Sequence, residues 1–596
     1  MNKMKKRLSL LMYLLLCALL VNAGIMAGSK KALADTVVWD GSVAKQFAGG
    51  DGSEADPYQI SNGAQLAYMA ELYNIPWGEK PSYHFVLTQN IQLNDTSNWK
   101  QWGKTPPVNK WEDAGEFHGV FDGCGYIITG IYVENNEAGF FYTVEKDGIV
   151  KNLGIEKSYM KSSGAIARSL SGGVIDNCYS SATIAGDMVQ IGGLVGRNGG
   201  GIIKNSYNLG TVAVPAKNYS YDKYFYVGGI AGVNYGTIIN CYNKGTVSAG
   251  GQKRKKEGTR IYVQGGIAGY SYNKIESSTN YANIYSKDKE SYVGGITGEL
   301  YNGSLIKCVN KGKIERKSGG GGTGGIAGTM YIGKMVDCTN KGEIQAAEQN
   351  RYVGGILGVQ KNYDKDSKIE NCVNSGKISA GKDSTEIGGI AGKFDSKIIS
   401  CINKSNIKVG EESSRIAGIV GFTSQASIIN CINKGSVTAP KSSNVGGITG
   451  LLGVWVIMSE SEDAQIDAVI INCANTGNIS SKSGGLVGGI AGEAYDRIYN
   501  SYNTGDITGD NLVGGILGTH GGISGYEPLV NCYYRKDSVH TKGIKDKNGT
   551  VLTASQMKST VLTKKLNDWV KKKGKKTYKV WITGAKENKG YPYFKK

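Results

Sequence analysis

Proline is scarce in this chain, with 9 residues in 596, and histidine scarcer, with four. The histidines (His84, His118, His520 and His540) are scattered and no His-Glu-x-x-His occurs, which removes the zinc-peptidase chemistry that motif supports. Asp and Glu are dispersed, and no compact acidic cluster recurs from one repeat to the next, so the paired carboxylates of a glycosidase are not legible. The Gly-rich blocks lack the Lys-Ser/Thr of a phosphate loop and the strand–helix setting of a dinucleotide site. No second apolar run follows the one at the N-terminus. What the chain has instead is glycine, 88 residues, and tyrosine, 36.

The first residues point to export. Lys3, Lys5, Lys6 and Arg7 precede an almost wholly apolar run, Leu8 to Val21, which is shorter than the ~20 residues a membrane span needs. Ala32-Leu33-Ala34 supplies a small-x-small cleavage signature, so residues 1–34 read as a signal peptide with a mature start near Asp35. Cys17 follows Leu16 rather than a small residue, which argues against lipidation. No transmembrane segment is expected after cleavage. Six of the net +19 charges lie in the signal. Residues 541–596 carry sixteen Lys against Asp546, Asp568 and Glu587, and the body between is neutral. The expected molecule is a neutral rod with a basic end.

The rod follows from a repeat. Val227–Val247 reads VGGIAGVNYGTIINCYNKGTV, and variants of it recur from Gly164 to Cys532. A Gly-Gly-apolar-small-Gly block starts twelve times, at spacings of 26 to 42 residues, more than half of them 28–30. A second block ends in Asn-Cys-Tyr-Asn-x-Gly-x-Val or a variant. Its last slot holds a β-branched residue in all eleven copies, from Ile184 and Val212 to Ile507. Alternating polar neighbours mark that slot as one inward-facing strand position used repeatedly. Two or three short strands cannot bury an apolar face alone, but stacked coils can. The expected fold is all-β, a parallel β-solenoid of about twelve coils over 164–540. At ~4.8 Å per strand spacing its core is on the order of 58 Å long.

The flanks read differently. In 35–80, Leu66, Met69, Ala70 and Tyr73 fall at helical spacing behind Asn62 as N-cap, with Gln65 three residues on. Residues 81–163 read as irregular first coils. In 541–596, Thr553-x-x-Gln556 is a capping-box pattern opening one helix with Met557, Val561, Leu562, Leu566, Trp569 and Val570 as its apolar stripe. Tyr578–Thr583 reads as a strand. Both flanks are expected to be short helical caps over the solenoid's ends.

VGGIAG, IGGLVG and VGGILG, each followed by NCYNKG-type blocks, resemble the GLUG motif of exported bacterial proteins, repeats that also occur in the non-catalytic part of some IgA-cleaving metallopeptidases. ADPYQISNGAQLAYMAELYN, FHGVFDGCGYIITGI and NKGYPYF resemble the ends of such proteins. The resemblance implies a right-handed parallel β-helix and a surface or secreted setting.

Three features are candidates for chemistry. Nine of twelve repeats carry Cys at one slot, among them the consecutive run Cys308, Cys338, Cys372, Cys401, Cys431 and Cys473, with Ser206, Ser278 and Ser501 in the others. Without paired spacing or a nearby His, these read as a buried ladder of reduced thiols rather than disulfides or a zinc site. Asn two residues later, as in Asn208 and Asn243, reads as turn chemistry, with αL geometry and amides that can bond along the rod. The third feature is a pair of insertions on successive coils, Ala213–Tyr226 and Ser248–Tyr262. They set Tyr219, Tyr221, Tyr224, Phe225 and Tyr226 beside Lys253, Arg254, Lys255, Lys256 and Arg260 as one aromatic and basic patch for an anionic glycan or protein. A third insertion, Leu451–Ala468, carries Trp455, Glu460, Glu462 and Asp463. The basic C-terminal segment suits anionic cell-envelope polymers. No nucleic-acid partner, metal or cofactor is expected. The chain reads as an exported binding, adhesion or structural protein, with an enzyme on extracellular polysaccharide (lyase or glycoside hydrolase) as the alternative.

Overall fold

The computed structural model describes residues 37–595 except 76–79, 135–138, 187, 215–222, 251–259, 288–290, 318, 454–467, 522–527, 547–548 and 585. One coil shows the plan. It runs through β1 (Val195–Asn198), β2 (Ile202–Lys204), β3 (Tyr207–Asn208), β4 (Val212–Ala213) and β5 (Lys223–Gly228), and each strand pairs with its equivalent in the next coil. The result is a parallel β-helix of five sheets, called sheets 1 to 5 after these strands. Among the described residues they hold 14, 16, 16, 14 and 12 strands in that order. Register is kept slot for slot: Tyr207 faces Tyr242 and Asn208 faces Asn243, all in parallel pairing. Five strands per coil exceed the two or three expected. Several are only two residues long, too short to leave a period-2 signature in the sequence.

In the earlier coils Val212, Val227 and Val247 share one core with Ile230 and Ile238, and from Ile284 onward the core divides into two lobes. The larger is filled by the apolar residue of the Gly-Gly block (Ile230, Ile267, Ile296), by sheet 2 (Ile238, Ile275) and by the cysteines. The smaller lies between sheets 4 and 5, where Ile314, Ile344 and Ile378 meet Val353, Ile387 and Ile416. The waist between them explains the double glycine. A Cβ on Gly229 would collide with the carbonyl of Gly266 and the amide of Asn243, so only hydrogen fits.

The sequence placed left-handed geometry on the wrong asparagine. Positive φ belongs to the residue before the cysteine slot (Asn177 51°, Asn205 52°, Asn240 51°), and Lys307 and Asp337 adopt it too. The asparagine two residues after the slot is a strand residue whose buried amide faces inward. Asn310 Nδ2 donates to Asn340 Oδ1 at 2.9 Å and to the Gly312 carbonyl at 3.0 Å, and the pattern repeats at neighbouring coils. Two asparagine columns therefore exist, one bonding the waist from within and one outside.

Helix α1 (Gly63–Tyr73) buries Leu66, Met69, Ala70 and Tyr73, and the Asn62 side chain accepts from Gln65 N. The Gln65 side chain takes the N–H of Ser61 rather than that of Asn62. At the other end the chain forms two helices, α2 (Ala554–Met557) and α3 (Thr560–Lys573). The Thr553–Gln556 capping box is present, and Ser559 caps α3 afresh, which divides the single helix read from the sequence. Trp581–Ile582 and Tyr593–Phe594 form a small antiparallel pair. This C-terminal unit is not principally an end cap. Thr550–Leu552 adds a last strand to sheet 3, but the helices lie along the flank of the rod. Leu562, Leu566 and Trp581 cover Ile432, Ala474, Tyr502 and Tyr533, the outward slots of sheet 3 in four successive coils. The outer asparagines fix the dock: Asn430 Nδ2 donates to Thr577 O (2.6 Å), Asn472 Nδ2 to Lys579 O (3.0 Å), and Trp581 Nε1 to Asn472 Oδ1 (2.6 Å). Apolar outward slots beside outward-facing amides favour lateral docking over end coverage.

Candidate functional site

The cysteine column is structural in its geometry. Cys178, Cys241, Cys308 and the rest of the column are free and buried. Each thiol sits against two carbonyls, as Cys308 Sγ does at 3.4 Å from both Ile275 O and Ile306 O. Ser206 replaces a thiol by donating to Lys204 O at 2.7 Å, so a small donor is what the slot requires. Burial pushes the thiols of Cys178, Cys241 and Cys532 up to about 12, which leaves them un-ionised and unreactive at neutral pH.

The expected aromatic and basic patch is divided by the strand. Lys223–Gly228 and Arg260–Gly265 are paired six-residue strands, so side chains alternate across the sheet. Phe225 points into the core and stacks on Tyr262 at 5.3 Å, which removes it from the surface. Tyr224 is exposed and lies 6.2 Å from Tyr226 on the outer face. Arg260 pairs through its backbone with Lys223. Tyr219, Tyr221, Lys253, Arg254, Lys255 and Lys256 lie outside the described residues, as do Trp455, Glu460, Glu462 and Asp463.

Tyr224 and Tyr226 lead into a larger site at the re-entrant corner where sheet 5 turns into sheet 1. The last glycine of the repeat block makes this corner: a Cβ on Gly298 would lie 2.6 Å from Gln264 N in the preceding coil. Two outward columns of sheet 1 border it, and both were legible as slots. Five residues after the first glycine stand Val233, Tyr270, Glu299, Thr329 and Val359. Seven residues after it stand Tyr235, Tyr272, Tyr301, Tyr331 and then Lys361. The four tyrosines of the second column form a row with ring centres 5.9, 5.8 and 5.2 Å apart, one ring per coil. Three of them are exposed by 37–39%. Tyr270 joins the row to sheet 5, lying 5.4 Å from Tyr226 and 5.9 Å from Tyr235. Arg197 stacks on Tyr235 at 4.8 Å and Lys361 on Tyr292 at 5.1 Å, placing a cation at each end.

Glu299 lies at the floor of this row, 6% exposed, between Tyr270 and Thr329 in the stacked register. Among the described residues its carboxyl makes no hydrogen bond, and the buried Thr329 hydroxyl beside it has no partner. Burial raises the Glu299 carboxyl to about 7, with Lys361 pulling the other way. Nearer the N-terminus the same corner opens into a cavity of about 400 Å³ lined by Ser163, Arg168, Gln190 and Arg197. Toward the C-terminus it is closed by ion pairing. Glu386, 1% exposed, sits 2.7 Å from Arg415 and 3.4 Å from Arg351. Arg415 also covers the Phe422 ring at 4.8 Å. Among the described residues no cluster of His, Cys, Asp and Glu is placed to hold a metal ion, and no helix is long and apolar enough to cross a membrane.

The family model for the GLUG motif matches residues 189–213, 224–248 and 483–508, each spanning a Gly-Gly corner or its approach and the strands beside it. The chain thus carries the GLUG motif at three places along the rod. A protein of Evansella cellulosilytica, provisionally named a Gly-rich membrane protein, is 34% identical over 143 residues. That match covers 22% of this chain and 15% of the relative. Halomucin of Haloquadratum walsbyi is 25% identical over 163 residues, 26% of this chain and 2% of its own length. The chain thus aligns with only a small part of either relative. A crystal structure from Bacteroides ovatus, provisionally named an immunoglobulin A1 protease, aligns over 92% of this chain and 95% of its own. Its identity is 14% and its TM-score 0.17, so the fold rests on the parallel register of this chain alone.

Proposed function

We propose that this is an exported, surface-associated repeat protein that binds an extended polysaccharide along the corner between sheets 5 and 1. The observation that carries the proposal is the row Tyr235–Tyr272–Tyr301–Tyr331, with one partly exposed ring per coil. A coil rise of about 4.8 Å approximates one pyranose residue of an extended chain, so successive rings can meet successive sugars. Aromatic rings supply apolar area with a polar hydroxyl at the tip, which suits sugar faces edged with hydroxyls. The N-terminal Lys/Arg-apolar-Ala-x-Ala pattern supports export, and the Gly-rich membrane relative supports a place at the envelope. The basic C-terminal unit adds a salt-sensitive hold on anionic envelope polymers. Host protein is the second ligand class, through the insertions before β5 and before Arg260–Gly265, whose residues 215–222 and 251–259 lie outside the described residues.

The alternative, an enzyme on extracellular polysaccharide, would draw on Glu299 as a proton donor near neutrality. In the stacked register its neighbours are Tyr270 and Thr329 rather than a second carboxylate, which favours binding over hydrolysis. A glycan array with the full exported chain tests the proposal. Polysaccharide binding that is lost when Tyr235, Tyr272 and Tyr301 are replaced together by Ala is expected. No binding to any polysaccharide, or binding untouched by the triple substitution, overturns it. Washing cells at high salt should release the chain if the basic unit holds it, and retention counts against that role.

A further inference from the structure

Glu299 and Thr329 call for a ligand on grounds separate from the tyrosine row. Glu299 is only 6% exposed as a residue and the Thr329 hydroxyl is buried, and enclosing such groups costs free energy unless they are hydrogen-bonded. Both stand in the same outward column, one coil apart, and neither has a hydrogen-bond partner among the described residues. The same corner shows how the fold treats a carboxylate it needs only for structure: Glu386 receives two arginines. Resting on the polysaccharide reading above, we infer that Glu299 and Thr329 are the hydrogen-bonding floor of a subsite for a hydroxyl pair of a neutral sugar, flanked by Tyr270 and Tyr301.

The charges around Glu299 select the sugar. The groups that bear on it are the Tyr226, Tyr270 and Tyr331 phenols and the Lys361 ammonium. Burial raises all three phenols, Tyr331 to about 12, so they are neutral donors. A uronate would bring a second carboxylate onto Glu299 and bind only after protonation. A neutral sugar offers O–H donors to both carboxylate oxygens, which favours the ionised form. Binding then expels the proton that burial had retained.

The test is titration calorimetry of the full chain with cellohexaose, mannohexaose and xylohexaose, beside hexamers of galacturonate and glucosamine. Each is measured at pH 6, 7 and 8 in buffers of different ionisation enthalpy. At least one neutral hexamer should bind about tenfold more tightly at pH 8 than at pH 6, releasing about half a proton per site at pH 7, as a carboxyl near 7 dictates. Glu299→Gln should abolish both the pH dependence and the proton release and weaken binding at pH 8 at least tenfold. Neutral binding without proton release, or unaffected by Glu299→Gln, overturns the subsite but leaves the tyrosine row as a glycan surface. Preference for galacturonate or glucosamine hexamers overturns the neutral-sugar assignment alone. Failure of every hexamer and of the array overturns both readings.

Discussion

Glu386 and Glu299 are two buried carboxylates in one corner of one β-helix, a few coils apart, and the fold treats them in opposite ways. Glu386 is clamped by Arg351 and Arg415, with Phe422 packed under the second guanidinium. Glu299 is enclosed by tyrosines and holds no hydrogen bond among the described residues. A satisfied buried charge holds structure together, whereas an unsatisfied one imposes a cost that a ligand can relieve. The contrast separates the part of the corner that braces the rod from the part that is open to chemistry.

Four substitutions break or sharpen that contrast. Arg415→Ala should be the most damaging, by about 3 kcal/mol, because it takes the nearer cation, at 2.7 Å, from a carboxylate that is only 1% exposed. Since coils of a solenoid unfold locally, hydrogen exchange across residues 351–446 is the measurement, and unchanged protection there would refute the bracing role. Glu299→Gln should do the reverse. A folded-state carboxyl raised from 4.5 to about 7 stabilises fully below 4.5, and that stability is lost as pH rises through 7. The variant should therefore gain on the wild type between pH 5 and pH 8, by on the order of 3 kcal/mol at most, read as a divergence of Tm with pH. Gln264→Val is a smaller case of the same logic. Gln264 is fully buried between Val227 and Val293 in the stacked register, and its amide has no partner among the described residues. Valine there should stabilise by about 1–2 kcal/mol in urea unfolding. Cys372→Ser should change stability by less than about 1 kcal/mol, because Ser206, Ser278 and Ser501 already fill that slot; a large loss would mean the thiol column has a role of its own.

Much of the fold was legible because the repeat states each slot many times. The β-branched slot of sheet 4, the buried cysteines and the Thr553–Gln556 capping box all stand where their spacing indicated. What misled was locally ambiguous. Asn-Cys-Tyr-Asn holds two asparagines, and turn chemistry was assigned to the second when the first carries the positive φ. The patch in Ala213–Tyr226 treated neighbours in sequence as neighbours on a surface, but strand alternation sends Phe225 inward and Tyr226 outward. The tyrosine row was present at a constant offset from the Gly-Gly block. Its four residues lie about thirty apart in sequence, and only stacking brings them together.

Periodicity alone settles that this chain is a stacked all-β rod, because an apolar slot recurring with each coil can be buried only against its own copies. Two things were decided by the tertiary structure. One is the lateral dock of the basic C-terminal unit, which depends on apolar outward slots in four coils lining up beside outward-facing asparagine amides. The other is the site at the corner of sheets 5 and 1. There a carboxyl distant in sequence from most of its tyrosines becomes unpaired and enclosed only once the coils are stacked. Burial and partnership are properties of neighbours, and the solenoid chooses the neighbours.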